Sequence, residues 1–402
     1  MDILFLTLVR IKDISEKGIY TDLFRKFKDE GHNVYIVCPT ERRYHEKTSL
    51  SQQENVYILN IKTPNVQKTN LLEKGIATIL IEKLLLRGIG KLIPNVKFDL
   101  VVYSTPPITF TNIVKYFKKR DGAKSYLLLK DIFPQNAVDL GMLKKNGFLH
   151  SYFRKKEKEL YHISDVIGCM SPANKDFVVK HNIEVNPLKV EVNPNSISFP
   201  EEYNKIDEVQ IRRKYDIPLN VILYVYGGNL GKPQGIDFLI EVIESNKERK
   251  DCYFLIVGDG TEFNKLSNWF MDNKPNNAKL YSSLSKTDFD ALLCSCDVGL
   301  IFLDKRFTIP NFPSRLLSYM ENKLPVLLAT DKNTDIGNIV VENNFGFWTE
   351  SGNLSEFNKH INFLNNENIE RKKMGENAYE YLKANYLVEN SYQIIMNHFK
   401  NV

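Results

Sequence analysis

Cysteine is scarce in this chain of 402 residues. It occurs five times, at 38, 169, 252, 294 and 296. The count is odd, and Cys294-Ser-Cys296 has neither a second pair nor nearby histidines, which excludes a disulfide framework and a zinc site of ordinary spacing. The thiols read as reduced packing residues of a cytosolic protein. No apolar run reaches the ~18–20 residues that a membrane span requires. None of the seven histidines stands at metal-ligand spacing from another histidine or a carboxylate, so no metal is expected. The opening MDILFLTLVR lacks a basic leader and a small-residue cleavage site, and it reads as a first β-strand rather than a signal peptide. Internal repeats and low-complexity segments are missing as well.

Hydrophobic residues at 43% and charged residues at 26% describe a chain that folds. Its length suggests two domains. Charge is distributed unevenly: residues 1–195 hold 31 Lys+Arg against 21 Asp+Glu, and the remainder hold 23 against 28. A basic half joined to an acidic half implies that one of them meets something anionic: nucleic acid, a lipid surface or a phosphorylated substrate. Nucleic acid is the weakest candidate, because the aromatic residues do not form a stacking platform. Two stretches suit a lipid surface. In Leu71–Ile93, Lys83, Arg87 and Lys91 recur every four residues along an otherwise apolar helix. In 142–162, Lys144, Lys145, Arg154, Lys155, Lys156 and Lys158 surround Phe148, Leu149, Tyr152 and Phe153. The alternative is that both are domain helices with solvated lysines; Gly75, Gly88 and Gly90 also weaken the first as a helix.

Short β-type runs alternate with helical patterns throughout. In the first half they fall at Ile3–Val9, Val34–Val37, Leu100–Tyr103, Ser125–Leu129 and Val166–Met170, with a helix over Gly18–Glu30. In the second they fall at Val221–Val225, Tyr253–Val257, Ala278–Tyr281, Val298–Phe302 and Val326–Ala329. Such alternation predicts parallel sheets covered by helices on both faces. The polar, proline-bearing NPNSISFPEEY at 193–203 marks a boundary. The expected division is 1–195, 196–385 and a terminal helix, 386–402, with two alternatives for the helix: it packs on the second domain or crosses back to the first.

The stretch YGGNLGKPQG, residues 226–235, poses the sharpest question. It is not a Walker A loop, since Tyr226 stands where the first glycine belongs and Pro233 where the hydroxyl belongs. The spacing of Gly227, Gly228 and Gly231 also fails the dinucleotide fingerprint. A strand, a glycine-rich loop and a helix start remain, which suit either an anion cradle or a plain turn.

Taken in order, SEKGIYTDLFRKFKDEGHNVYIV, STPP (104–107), KDIFPQ (130–135), SDVIGCMS (164–171), VNPNSI (192–197), YGGNLGKPQG, LIVGDG (255–260), SLSKTDFDALLCSCDVGLIF (283–302) and PSRLLSYMENKLPV (313–326) resemble glycosyltransferase family 4. The likeness spans nearly the whole chain. It is strongest to the capsule and O-antigen branch that includes N-acetyl-L-fucosamine transferases, whose members carry Asp-Leu-Trp-Pro-like and Pro-Ser-Lys-like motifs.

The resemblance implies an α/β protein of GT-B fold, two doubly wound Rossmann-like domains facing a central cleft. It also implies retaining transfer from a UDP-sugar, without a required metal or other cofactor, to a polyprenyl-diphosphate-linked saccharide at the cytoplasmic face of a bacterial inner membrane. On that footing Gly18, Gly228, Asn229, Lys232, Gly258, Asp259, Pro313, Ser314, Arg315 and Ser318 are expected at the donor, with Lys232 and Arg315 meeting the charge of the leaving diphosphate. Asp131 is expected to orient or deprotonate the acceptor, beside Ser104 and Thr105. Two positions depart from the family. Gln234 stands where a lysine is usual, so the charge is assigned to Lys232. The Glu-x7-Glu pair falls on Pro310 and Ser318, leaving a hydroxyl where a carboxylate usually holds ribose. Rival readings are a sugar-nucleotide 2-epimerase on the same architecture, or a nucleotide-sugar-binding protein that has lost its chemistry.

Overall fold

The computed structural model describes residues 1–65, 71–199 and 207–399, with the backbone alone described over 71–79. The first half runs β1 (Asp2–Leu6), α1 (Ile19–Asp29), β2 (Asn33–Glu41), β3 (Ser49–Gln53), β4 (Val56–Thr63), α2 (Leu71–Leu92), β5 (Leu100–Ser104), α3 (Thr111–Asp121), β6 (Lys124–Leu129), α4 (Gln135–Asp139), α5 (Phe148–Ile163), β7 (Val166–Cys169), α6 (Pro172–His181) and β8 (Val190–Val192). The second continues α7 (Glu208–Lys214), β9 (Ile222–Asn229), α8 (Ile236–Ser245), β10 (Cys252–Asp259), α9 (Phe263–Asn273), β11 (Ala278–Tyr281), α10 (Lys286–Leu293), β12 (Val298–Phe302), α11 (Arg315–Glu321), β13 (Val326–Thr330), α12 (Ile336–Glu342), β14 (Gly346–Glu350), α13 (Leu354–Asn366), α14 (Asn368–Asn385) and α15 (Val388–Met396). Contacts divide the chain into two units, Met1–Ser198 together with Leu387–Val402, and Phe199–Tyr386. The linker expected over 193–203 runs on past 199, outside the described residues.

In the first unit eight strands lie in the order β3-β4-β2-β1-β5-β6-β7-β8, parallel except for β3 against β4. Alternation along β1 sends Ile3 and Phe5 to one face and Leu4 and Leu6 to the other, and both faces are covered. On one side lie Tyr20, Leu23, Phe24 and Phe27 of α1 with Tyr392 and Ile395 of α15. On the other lie Ile81, Leu85 and Ile89 of α2, Phe117 of α3, and Leu160 and Tyr161 of α5. α15 is held there by a 3.0 Å hydrogen bond between His32 and Tyr392 and by the bridge from Ile197 to Leu387.

Several expectations need correction. β1 stops at Leu6, three residues short of Val9, and β2 runs on to Glu41. β3, β4, β8 and β14 were not expected: β3 is the polar edge segment SLSQQ, and β8 and β14 are short edge strands. Glycine does not break α2. A Cβ at Gly88 would lie 2.4 Å from the Ile61 side chain, so this glycine lets the helix approach the sheet. Gly75 falls outside the described side chains. The five cysteines are free, and all but the half-buried Cys294 are buried.

In the second unit six parallel strands lie in the order β11-β10-β9-β12-β13-β14, with Phe238 and Leu239 of α8 and Phe357 and Ile361 of α13 in its core. Strand order reverses between β9 and β12, and this is where such a sheet opens a crevice at its carboxyl edge. The glycine cluster is not a loop from its start. β9 carries through Gly227, Gly228 and Asn229, which pair with Val257, Gly258 and Asp259 of β10. A Cβ at Gly258 would come 1.9 Å from the Gly228 carbonyl oxygen, and a backbone atom in a sheet cannot step aside. Gly258→Ala should therefore destabilise the protein by at least the ~1–3 kcal/mol of an overpacked core, read as a lower urea midpoint of unfolding.

Candidate active site

The end of β9 and the chain after β12 meet at the switch point of the second unit. Asp304 donates its N–H to the Pro233 carbonyl at 2.9 Å, so the two segments are stitched together. Arg315, the first residue of α11, lays its guanidinium over the Tyr226 ring with 4.3 Å to the centroid. Its Nη1 is buried and has no hydrogen-bond partner. Among the described residues no carboxylate pairs with it. Gly228, at φ 118°, lies alongside; a Cβ there would sit 3.7 Å from the guanidinium carbon. Tyr319, one turn along α11, accepts the Gly227 N–H at 3.1 Å and lies 3.2 Å from the Val225 and Leu300 carbonyls, fixing the strand under the site.

The remaining donor-side residues differ in availability. Lys232 is exposed. Asn229 is exposed too, but its amide donates to Gln234 Oε1 at 3.2 Å, and that oxygen also receives Gly231 N–H at 3.1 Å. The position where lysine is usual thus serves as the brace of the loop. Asp259 caps its own turn through Gly260 N–H at 2.8 Å. Pro313 and Ser314 immediately precede α11, whose first turn has few free N–H groups. The helix has only seven residues, and Leu316 and Leu317 already donate to the Pro313 and Ser314 carbonyls. What α11 offers is therefore the Arg315 side chain. Ser318 is half-buried on the same helix.

The first unit uses most of its nominated residues internally. Gly18 donates its N–H to Asp22 Oδ1 at 3.0 Å, so that group is not open to a phosphate. Ser104 is buried and bonded to the Thr7 hydroxyl at 3.3 Å. Thr105 is buried as well; its hydroxyl accepts from the N–H groups of Lys130 and Asp131 at 2.9 and 3.1 Å and donates to the Asp131 carbonyl at 3.2 Å. Both hydroxyls are engaged internally: Ser104 ties β5 to the residue after β1, and Thr105 ties the chain after β5 to the chain after β6. Asp131 remains available. Both of its oxygens lie 2.8 Å from the Asn136 amide, and burial pushes its pKa up to about 6.

Three features of the two units were missed from sequence. Tyr226, noted only because it spoils a Walker spacing, is the platform under Arg315. Lys130, adjoining Asp131, has one long hydrogen bond, 3.4 Å to the Asn193 carbonyl, and burial lowers its pKa to about 7. Asp331, buried just past β13, has Oδ2 unpartnered and a pKa raised by burial to about 6. A polar residue immediately after an apolar strand was the available signal for the last two.

With this geometry in view, comparison with known proteins is informative. The family model described as Glycosyl transferases group 1 matches residues 207–381, almost all of the second unit. "Probable glycosyltransferase WbjE" of Pseudomonas aeruginosa is 25% identical over 71% of this chain and 70% of its own. Among solved structures, Anabaena Alr3699/HepE in complex with UDP-glucose superposes with a TM-score of 0.72 at 15% identity, covering 100% of both chains. WaaG, a glycosyltransferase involved in lipopolysaccharide biosynthesis, superposes at 0.65 and 15% identity over 98% of this chain and 99% of its own. The match to the group 1 glycosyltransferase model falls on the second unit; the chain is a glycosyltransferase, and its two Rossmann-like α/β domains are those of the GT-B fold.

The raised pKa of Asp131 has a consequence for stability. The folded state holds this proton more tightly than the ordinary carboxyl at 3.8, so ionisation costs stability increasingly from about pH 4 to about pH 6 and fully above that. Asp131→Asn removes the cost. Its melting temperature should exceed the wild type's at about pH 7.5, and the advantage should vanish at about pH 4.

Proposed function

We propose that this enzyme transfers a sugar, with retention of configuration, from a UDP-sugar to a polyprenyl-diphosphate-linked saccharide during capsular polysaccharide or O-antigen synthesis. The observation that carries the reading is Arg315, a cation stacked on Tyr226 with a buried, unpartnered Nη1 at the switch point of the second unit. An anionic diphosphate suits such a group, since guanidinium donates to two oxygens at once. As the glycosidic bond breaks, charge accumulates on the leaving diphosphate. Donors already aimed there lower the barrier without reorganisation. Arg315 and Lys232 supply that charge, and the proposed reaction needs no metal. Gly258 and Asp259 border the base, and the Ser318 hydroxyl holds the ribose in place of the family's carboxylate. The UDP assignment is supported by the UDP-glucose bound in the Anabaena protein of the same fold.

Asp131 is assigned to the acceptor, where its buried carboxylate orients the attacking hydroxyl. The leaving phosphate itself takes the hydroxyl proton, as the resemblance implies for retaining members. An N-acetylated deoxyhexose such as N-acetyl-L-fucosamine is the proposed sugar, on the strength of KDIFPQ and PSR. The polysaccharide context is supported by WaaG, named for lipopolysaccharide biosynthesis. A lipid-linked acceptor places the enzyme at the cytoplasmic face of the inner membrane, its basic first unit toward anionic headgroups. No helix among the described residues is long and apolar enough to cross the membrane.

Arg315→Ala should lower turnover by ~2–4 kcal/mol of barrier and abolish the rise in melting temperature on adding UDP, which binding to the folded state otherwise produces. Release of UDP that requires a saccharide acceptor separates transfer from epimerisation. Wild-type turnover in the Arg315 variant would remove this residue from the mechanism.

A further inference from the structure

The two stretches that suited a lipid surface prove unlike each other once folded. Along the described part of α2, the apolar residues Ile81, Leu85 and Ile89 are buried in the sheet core. Lys83, Arg87 and Lys91 remain as a solvated stripe, with little apolar surface left to enter a bilayer. α5 is different. Phe153 does turn inward, packing on Phe133, but Phe148 and Leu149 in the first turn are 85% and 56% exposed. Met142, just before the helix, is 62% exposed, and Ile183, close to Arg154 through the bonds of that arginine to His181 and Asn182, is 94% exposed. Isolated exposed apolar residues are ordinary; two side by side in the first turn of one helix call for a partner.

Beside them runs a groove of about 640 Å³ lined by cations, Lys115 of α3 with Arg154, Lys155 and Lys158 of α5, against Glu159 and Glu184. Arg154 is occupied by Glu157, and Lys158 pairs with Glu184 at 2.9 Å. Lys115 and Lys155 form no ion pair among the described residues. His150, Arg154, Lys158 and His162 follow at intervals of four and so line one side of the helix. Cations in a groove along a helix whose first turn exposes Phe148 and Leu149 match a phospholipid, whose phosphate lies just above its acyl chains.

The topology places this surface well. α5 joins β6 to β7, which are parallel neighbours, so it must start at the carboxyl edge of the sheet and run back along it. Phe148 and Leu149 therefore sit at the same edge as Asp131, the residue assigned to the acceptor.

We propose that the start of α5 and its groove form the membrane-docking site: Phe148 and Leu149 enter the acyl boundary, and Lys115 and Lys155 hold the phosphate of an anionic phospholipid. The site rests on the membrane-facing reading given above and names α5, not α2, as the element responsible. The test is cosedimentation of the full chain with vesicles of phosphatidylcholine alone, or of equal parts phosphatidylcholine and phosphatidylglycerol. Wild type should sediment with the mixed vesicles. Lys115→Glu with Lys155→Glu, and separately Phe148→Ser with Leu149→Ser, should each weaken binding by about tenfold or more. Lys83→Glu with Arg87→Glu should leave it nearly unchanged. All variants should keep the wild-type melting temperature and its rise with UDP, which certifies the fold. Failure of the wild type to bind mixed vesicles would overturn the membrane reading and the site with it. Full binding by both α5 variants, or loss confined to the α2 variant, would overturn the site alone. Inorganic phosphate, added at constant ionic strength, should not release the protein; release would reassign the groove to free phosphate.

Discussion

A guanidinium set against an aromatic ring, with one nitrogen sealed from water and, among the described residues, no carboxylate to neutralise it, is the constraint around which the second unit is arranged. Removing a cation from water is costly, and the Arg315–Tyr226 contact offsets only part of that, on the order of 0.5–2 kcal/mol. The balance is available to an anionic ligand. The surrounding parts serve the arrangement: the Tyr319 hydroxyl takes the Gly227 N–H, and the missing side chains of Gly228 and Gly258 let two strands and an arginine crowd one point. Gln234 braces the adjoining loop. Strand order then brings the end of β9 and the chain after β12 side by side, because the crossovers leave β9 in opposite directions.

The first unit meets its part of the chemistry differently. Its strand ends are polar, yet most of those groups are satisfied internally: Ser104 by Thr7, Thr105 by the backbone of Lys130 and Asp131, and Gly18 by Asp22. Such closure makes a stiff edge. It leaves Asp131 and Lys130 as the adjacent groups whose ionisation burial has shifted, one upward and one downward, toward the physiological range. Neither the aspartate nor the lysine is neutralised by the other's charge across a formed ion pair among the described residues. The same edge carries the apolar start of α5, so Asp131, the residue proposed for the acceptor, and the proposed lipid contact share one edge of one sheet.

Much of this was readable along the chain. Apolar runs at Leu100–Ser104, Val298–Phe302 and Val326–Thr330 coincide with strands because a parallel strand buried on both faces must be apolar throughout. The polar edge strand Ser49–Gln53 carried no such mark. Arg315 and Lys232 were nominated from their place after proline and glycine, and Arg315 is found stacked on Tyr226 with its Nη1 unpartnered. The hydroxyls of Ser104 and Thr105 were nominated by the same logic and proved to be spent, since residue type says what a group can bond and not what already bonds it.

The amino-acid sequence by itself therefore determined the class of fold, the alternation of apolar strands with helices, and the residue types held at the strand ends, because periodicity and backbone tolerance are local properties. Which of those residues remain available was decided only by tertiary structure. Partners such as Thr7 for Ser104, Tyr226 for Arg315 and Tyr392 for His32 lie as many as 360 positions apart. Hydrogen bonding and desolvation act over a few ångströms in space, whatever the separation along the chain.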